Sequence, residues 1–101
     1  MPFDIEAVLT THPAVIDAAV IGMPDELAGE RPLAFLVRST TAMIDVNEED
    51  LRERIDEHVQ DQLHETHWLH ERIRFIPEIP RSQNGKILKK VLKASVGGNR
   101  V

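Results

Sequence analysis

The stretch VIDAAVIGMPDELAGERPLAFLVR, residues 15–38, decides the fold. Val15–Ile21 is short, apolar and rich in β-branched residues, the pattern of a buried strand. Leu33–Arg38 reads as a second strand. Between them GMPDELAGERP, Gly22–Pro32, places two glycines and two prolines in eleven residues, which predicts a long turn. Asp25, Glu26 and Glu30 surround that turn. Paired carboxylates can do acid–base work, but no partner nucleophile accompanies these, and turn-forming and capping roles suit them better.

Toward the N-terminus, Pro2 suits the first turn of a helix, and Ile5, Val8 and Leu9 make one apolar face. Pro13 biases His12 out of the helical region, so this helix ends at Thr10–Pro13. An opening directly on a helix is the expectation for a domain cut from a longer chain. On the other side, Asn47 is a good N-cap with Glu48, Glu49 and Asp50 in the first turn. Leu51, Ile55, His58, Val59 and Leu63 follow at helical spacing, which predicts a helix to about Leu63. Arg72–Ile76 alternates as a third strand, stopped by Pro77 and Pro80. After a loop over Ser82–Lys86, Ile87, Leu88, Val91 and Leu92 form one face of a last short helix, and residues 95–101 read as a frayed end. The order α-β-β-α-β-α in 101 residues predicts a single α+β domain over residues 1–101, a small three-stranded sheet covered by helices.

The composition is ordinary for a globular chain, with 42% hydrophobic and 29% charged residues. The absence of cysteine excludes disulfides, thiolate chemistry and cysteine-based zinc sites. No apolar run approaches the length of a membrane span and no basic-then-apolar leader opens the chain. The expectation is an intracellular domain, cytoplasmic or peroxisomal, although Asn99-Arg100-Val101 lacks a Ser-Lys-Leu-type address. All 17 acidic residues lie in residues 1–80, whereas residues 81–101 carry six bases and no acid. Such a basic segment suits a phosphate-bearing ligand, an acidic surface, or simply the solvated face of a helix. Nucleic acid is disfavoured as a partner, because the body is acidic and only Phe3, Phe35, Trp68 and Phe75 are aromatic.

Two constellations compete for attention. His64, His67 and His70 recur every three residues beside Glu65 and Glu71, so a metal site is conceivable on a helix. The spacing is not that of a His-Glu-x-x-His zinc protease, and the alternative is a polar loop with Trp68 and Leu69 packing inward; no metal ligand is assigned. The other is IPRSQNGKILKK, Ile79–Lys90, where Lys86 is the first lysine of the chain. Gly85-Lys86 is not a nucleotide P-loop, because Ile87 stands where that motif needs Ser or Thr. A lysine on a loop fixed by Pro80 and loosened by Gly85 can project from the surface and meet two anionic oxygens with one compact charge. By composition alone the better reading is an ordinary exposed lysine opening a basic helix.

Taken together, Pro2–Leu9, His12–Val15, Ala18–Gly22, Pro24-Asp25, Gly29-Glu30 and Pro32, followed by Ile76–Ser82 and Gly85–Ile87, resemble the C-terminal domain of adenylate-forming enzymes. That family includes acyl-CoA synthetases, 4-coumarate-CoA ligases and firefly luciferase-like proteins. The resemblance runs over roughly Pro2 to Leu92. This chain departs from the family pattern at Asp4 (usually Glu), at Asn84 (usually Ser or Thr), and over residues 64–70, where relatives carry a lysine-containing loop.

The resemblance implies a lid domain, inactive alone, whose partner is its own large N-terminal adenylation domain. It implies ATP with magnesium in the whole enzyme, a carboxylic acid substrate and coenzyme A as co-substrate, with none tightly bound to this piece. It also implies that Lys86 is the catalytic residue of adenylation, supported by a loop of Pro80, Ser82, Asn84 and Gly85. Oxidation of the adenylate, as in luciferases, remains open in place of thioester formation. A non-catalytic interaction module that keeps the fold is the alternative from another class.

Overall fold

A computed structural model describes residues 2–27, 29–64 and 67–97; the Glu65 of the histidine run and the tail 98–101 lie outside the described residues, as do the side chains of residues 2–4. The two apolar segments do pair, but their hairpin is longer than the turn residues suggest. β1 (Val15–Asp25) and β2 (Gly29–Arg38) are antiparallel, with Val20 opposite Ala34 and Asp25 opposite Gly29. The long turn expected over Gly22–Pro32 is therefore mostly strand, and the chain reverses only between Asp25 and Gly29. The prolines are tolerated because neither must donate to a ladder. Pro24 is on an outer strand, and Pro32 precedes the segment of β2 that pairs on its other side. Gly22 lies within the strand rather than at a turn, with the mobile end of the exposed Glu30 side chain lying over it where a Cβ would stand. Gly29, at φ 81°, restarts the chain into β2. Asp25 accepts the Leu27 N–H at 3.2 Å and pairs with Arg31 at 3.3 Å, the turn-forming role expected of it.

β3 (Ile73–Phe75) adds to β2 in parallel, with Ala34 opposite Ile73, giving the sheet order β1-β2-β3. Both faces of this sheet are covered, which is why the strands read as continuous apolar runs rather than as alternating ones. On one face Ala18, Val20, Ala34, Leu36 and Ile73 pack under α1 (Pro2–Leu9) and α2 (Glu48–Gln62), meeting Ile5, Leu9, Leu51, Ile55 and Val59. On the other, Ala19, Ile21, Leu33 and Phe35 meet Ile79 together with Leu92 and Val96 of α3 (Lys89–Gly97). The architecture is the expected three-stranded α+β layer in the order α-β-β-α-β-α.

Asn47 caps α2 as its position predicts, its Oδ1 accepting the Asp50 N–H at 2.8 Å. The last helix differs from expectation. It begins at Lys89, so Ile87 and Leu88 precede it, and Val91 is half exposed. Its buried face is Leu92 and Val96, because Ile87 is held back in a β-bridge to Arg81. Residues 95–97, read as frayed, belong to the helix. No helix among the described residues is long and apolar enough to cross a membrane.

Candidate functional site

Pro80, Ser82, Asn84, Gly85 and Lys86 come together in one small hairpin on the α3 side of the sheet. Arg81 and Ile87 form its antiparallel base, and Leu88 N–H donates to the Pro80 carbonyl at 2.9 Å. Ser82 N–H donates to the Lys86 carbonyl at 2.8 Å, while Gly85 N–H returns to the Ser82 carbonyl at 2.9 Å. That pair of bonds defines a three-residue loop, Gln83-Asn84-Gly85, whose last position must turn left-handed; Gly85 sits there at φ 88°. The Ser82 hydroxyl donates to Asn84 Oδ1 and accepts the Lys86 N–H at 3.2 Å. Sequence reasoning took Gly85 as loosening this loop; the structure shows the reverse, since glycine is what lets every one of these bonds close.

Lys86 leaves the hairpin into solvent, and no carboxylate among the described residues pairs with its ammonium. It borders an open surface depression of ≈ 620 Å³ lined by Ile87, Leu88, Lys89, Lys90 and Val91. Its lining sets three lysines beside Ile87, Leu88 and Val91, a surface suited to anionic oxygens beside a less polar body. Lys89 is different: it lies 3.7 Å from the Glu6 carboxylate, which also accepts the Val20 N–H at 2.8 Å on the outer edge of β1. Part of the basic segment is thus structural, tying α3 to α1 and covering a strand edge.

Two residues that the sequence did not single out hold the hairpin against the sheet. Arg81 Nη1 donates to the Gly85 carbonyl at 2.9 Å and its Nη2 to Asp17 Oδ1 at 2.6 Å. Arg81 counted only as one of six bases and as part of the Ile76–Ser82 motif, and Asp17 only as a member of the apolar strand Val15–Ile21; its lone charge within that strand was the available signal.

The histidine run is not gathered into a site. His70 N–H donates to Asp56 Oδ1 at 2.8 Å, and its ring lies edge-on to Trp68. Leu69 is fully buried and Trp68 packs against the core, donating its indole N–H to the Leu63 carbonyl at 2.9 Å. Among the described residues no group of three or more His, Cys, Asp or Glu is placed to hold a metal ion. A different pair of histidines does meet: His12 and His58 stand edge to face, 5.2 Å apart, between α1 and α2. Burial first, then His58 and Arg54, hold the His12 pKa below its ordinary 6.5.

The chain is thus a three-stranded α+β layer that carries an exposed Gly-Lys hairpin at one margin of its sheet. The family model described as the AMP-binding enzyme C-terminal domain matches residues 4–86, and the chain belongs to that family. An acyl-CoA ligase of Cordyceps militaris is 57% identical over 99 residues, covering 98% of this chain and 16% of that protein. An acyl-CoA ligase of Emericella nidulans is 63% identical over 94 residues, covering 93% of this chain and 17% of that protein. Among solved structures, a Brucella canis acyl-CoA synthetase superimposes with a TM-score of 0.84 at 35% identity, covering 98% of this chain and 18% of that one. This chain thus spans about one sixth of the length of the curated relatives it matches.

Proposed function

We propose that this domain is the C-terminal lid of an ATP-dependent, AMP-forming acyl-CoA ligase and that Lys86 is the cation of its adenylation step. The observation that carries this reading is the Lys86 hairpin. A lysine without an ion-pair partner among the described residues stands on a backbone whose hydrogen bonds fix its direction. In adenylation a carboxylate oxygen attacks the α-phosphorus of ATP, and the bond to pyrophosphate breaks. Both reactants are anions, so a cation between carboxylate and α-phosphate offsets their repulsion where charge gathers in the transition state. A lysine suits this task because its charge is compact and its stem long.

The acyl-adenylate then passes its acyl group to the thiol of coenzyme A, releasing AMP. The partner that completes the site is the enzyme's own large adenylation domain, and the small domain alone is without activity. Magnesium accompanies ATP there; the described residues of this domain offer it no cluster of ligands, and no step is derived through it. The same reading carries a location in the cytoplasm or the peroxisome. The test is Lys86→Ala in the full-length ligase. It is expected to cripple adenylation, read by pyrophosphate exchange, while sparing thioester formation from supplied acyl-adenylate. Equal loss of both half-reactions would sink the assignment.

A further inference from the structure

We propose that Arg81 and Asp17 form a clamp that sets the direction in which Lys86 leaves the hairpin, making both of them positioning residues for adenylation; this rests on the reading of Lys86 given above. The peptide unit joining Gly85 to Lys86 is held from both sides. Its carbonyl accepts from Arg81 Nη1 at 2.9 Å, and its N–H donates to Ser82 Oγ at 3.2 Å. Ser82 belongs to the hairpin itself, so that bond fixes only internal shape. Arg81 reaches outside: the other arm of the same guanidinium donates to Asp17 Oδ1 at 2.6 Å, on a strand 64 residues away.

The far end of this link is equally well fixed. Asp17 Oδ1 also accepts the N–H of Ala18 at 2.9 Å, so the carboxylate is tied to its own strand. Its aim comes from the alternation of β1, which places Asp17 on the α3 face with Ala19 and Ile21. Val15 faces Arg38 but Asp17 faces Val37, so Ile16 is an extra residue, 62% exposed. This bulge turns Val15 toward the α1/α2 core and leaves Asp17 in register with the rest of the strand. The sequence of cause is therefore strand face, Asp17, Arg81, Gly85 carbonyl, Lys86. Ile87 anchors the base of the hairpin by packing against the Phe35 side of the core, and an apolar contact of that kind leaves the tilt of the loop free.

Both partners are partly exposed, at 37% for Arg81 and 33% for Asp17, so the pair adds little to stability. Its effect falls on geometry instead, to which catalysis is far more sensitive than folding is. The task also requires arginine. A guanidinium forks to two acceptors at fixed angles, whereas an ammonium keeps the charge without that fixed fork.

The experiment compares Arg81→Lys, Asp17→Asn, Asp17→Ala and the double Asp17→Ala/Arg81→Lys in the full-length ligase, with Lys86→Ala in parallel. Each half-reaction is measured separately. Arg81→Lys is expected to lower kcat for pyrophosphate exchange by about tenfold or more, with KM for ATP and acid unchanged. Thioester formation from supplied acyl-adenylate stays at the parent rate. Asp17→Ala and the double variant fall to the level of Arg81→Lys and no further, because the two side chains act through one link. Asp17→Asn, which keeps an oxygen for both Ala18 and Arg81, recovers part of the rate. Losses that add, losses shared by both half-reactions, or parent rates throughout overturn the clamp. If Lys86→Ala stops adenylation while Arg81→Lys does not slow it, only the clamp fails. If Lys86→Ala is itself harmless, the reading of Lys86 fails and the clamp with it.

Discussion

The two faces of the sheet differ in what they are for. Among the described residues the α1/α2 face buries thirteen in one cluster, closed by two helices and the loop carrying Leu69. The α3 face buries seven of the described residues, and the hairpin bearing Lys86 stands at its margin. Stability is concentrated on the first face and the candidate chemistry on the second. A small domain can in this way present a charged side chain to another surface without disturbing its core.

The largest expected effect tests that division directly. Lys86→Ala should reduce adenylation in the full-length ligase by about a hundred- to a thousandfold, the cost of removing a charge aimed at a transition state. The same substitution should leave the thermal midpoint unchanged, since Lys86 is exposed and makes no ion pair among the described residues. A matching loss of thermal stability would mean that the second face is structural after all.

Matched truncations probe the other side of the comparison. Ile55→Ala, in the thicker cluster, should cost about 3–5 kcal/mol in denaturant unfolding, and Leu92→Ala, in the thinner one, nearer about 2 kcal/mol, where the site relaxes more readily. Ile55 is fully buried between α2 and the sheet, whereas Leu92 is 3% exposed with half-exposed Val91 beside it. Equal costs would erase the distinction between the faces. Gly85→Ala is subtler. Nothing lies within 4 Å of where the new Cβ would go, so its cost is purely conformational, about 1–2 kcal/mol for an L-residue held at φ 88°. The hairpin should relax to avoid that strain and carry Lys86 out of line. Adenylation should therefore fall by more than thioester formation does.

Most of the fold was legible because its signals are local. Asn47 and the acids after it announced α2, and the apolar runs around Ala18 and Phe35 announced two strands of a sheet covered by helices. The hairpin of Gly22–Pro32 was misread for an equally physical reason. Glycine and proline usually mark turns, but here Gly22 sits inside the ladder opposite Pro32, and both prolines occupy strand positions that need no donor. Lys86 was singled out as a candidate through the residues around it. Its connection to Asp17 was not legible, because a contact across 64 residues has no signature in either segment alone. The shift of α3 had a similar cause, since only the Arg81–Ile87 bridge decides that Ile87 is strand-like rather than helical.

The smallest effect concerns pH and belongs to the thicker face. His12 Nδ1 accepts the Ala14 N–H at 3.1 Å, so the neutral ring carries its proton on Nε2, and protonating Nδ1 would break this bond. Beside it, Thr11 gives its hydroxyl proton to the Val8 carbonyl at 2.6 Å, which leaves Thr11 Oγ1 to accept from His58 Nε2 at 2.8 Å. The groups facing His12 from α2 are thus His58 and Arg54, and both resist a second positive charge, in addition to the cost of burying it. A histidine whose folded pKa lies below its unfolded 6.5 favours the native state when neutral. Its contribution is complete above that value and is lost as pH falls through it toward the folded pKa. His12→Asn keeps an oxygen acceptor for Ala14 without titrating. Between about pH 8 and about pH 5 the parent should lose stability that His12→Asn keeps, read as diverging denaturation midpoints. Parallel curves would show that the pair of helices is indifferent to this proton. Because His12 lies on the face away from the hairpin, the pH profile of adenylation should be the same in both proteins, and a shift there would join the two faces that the packing keeps apart.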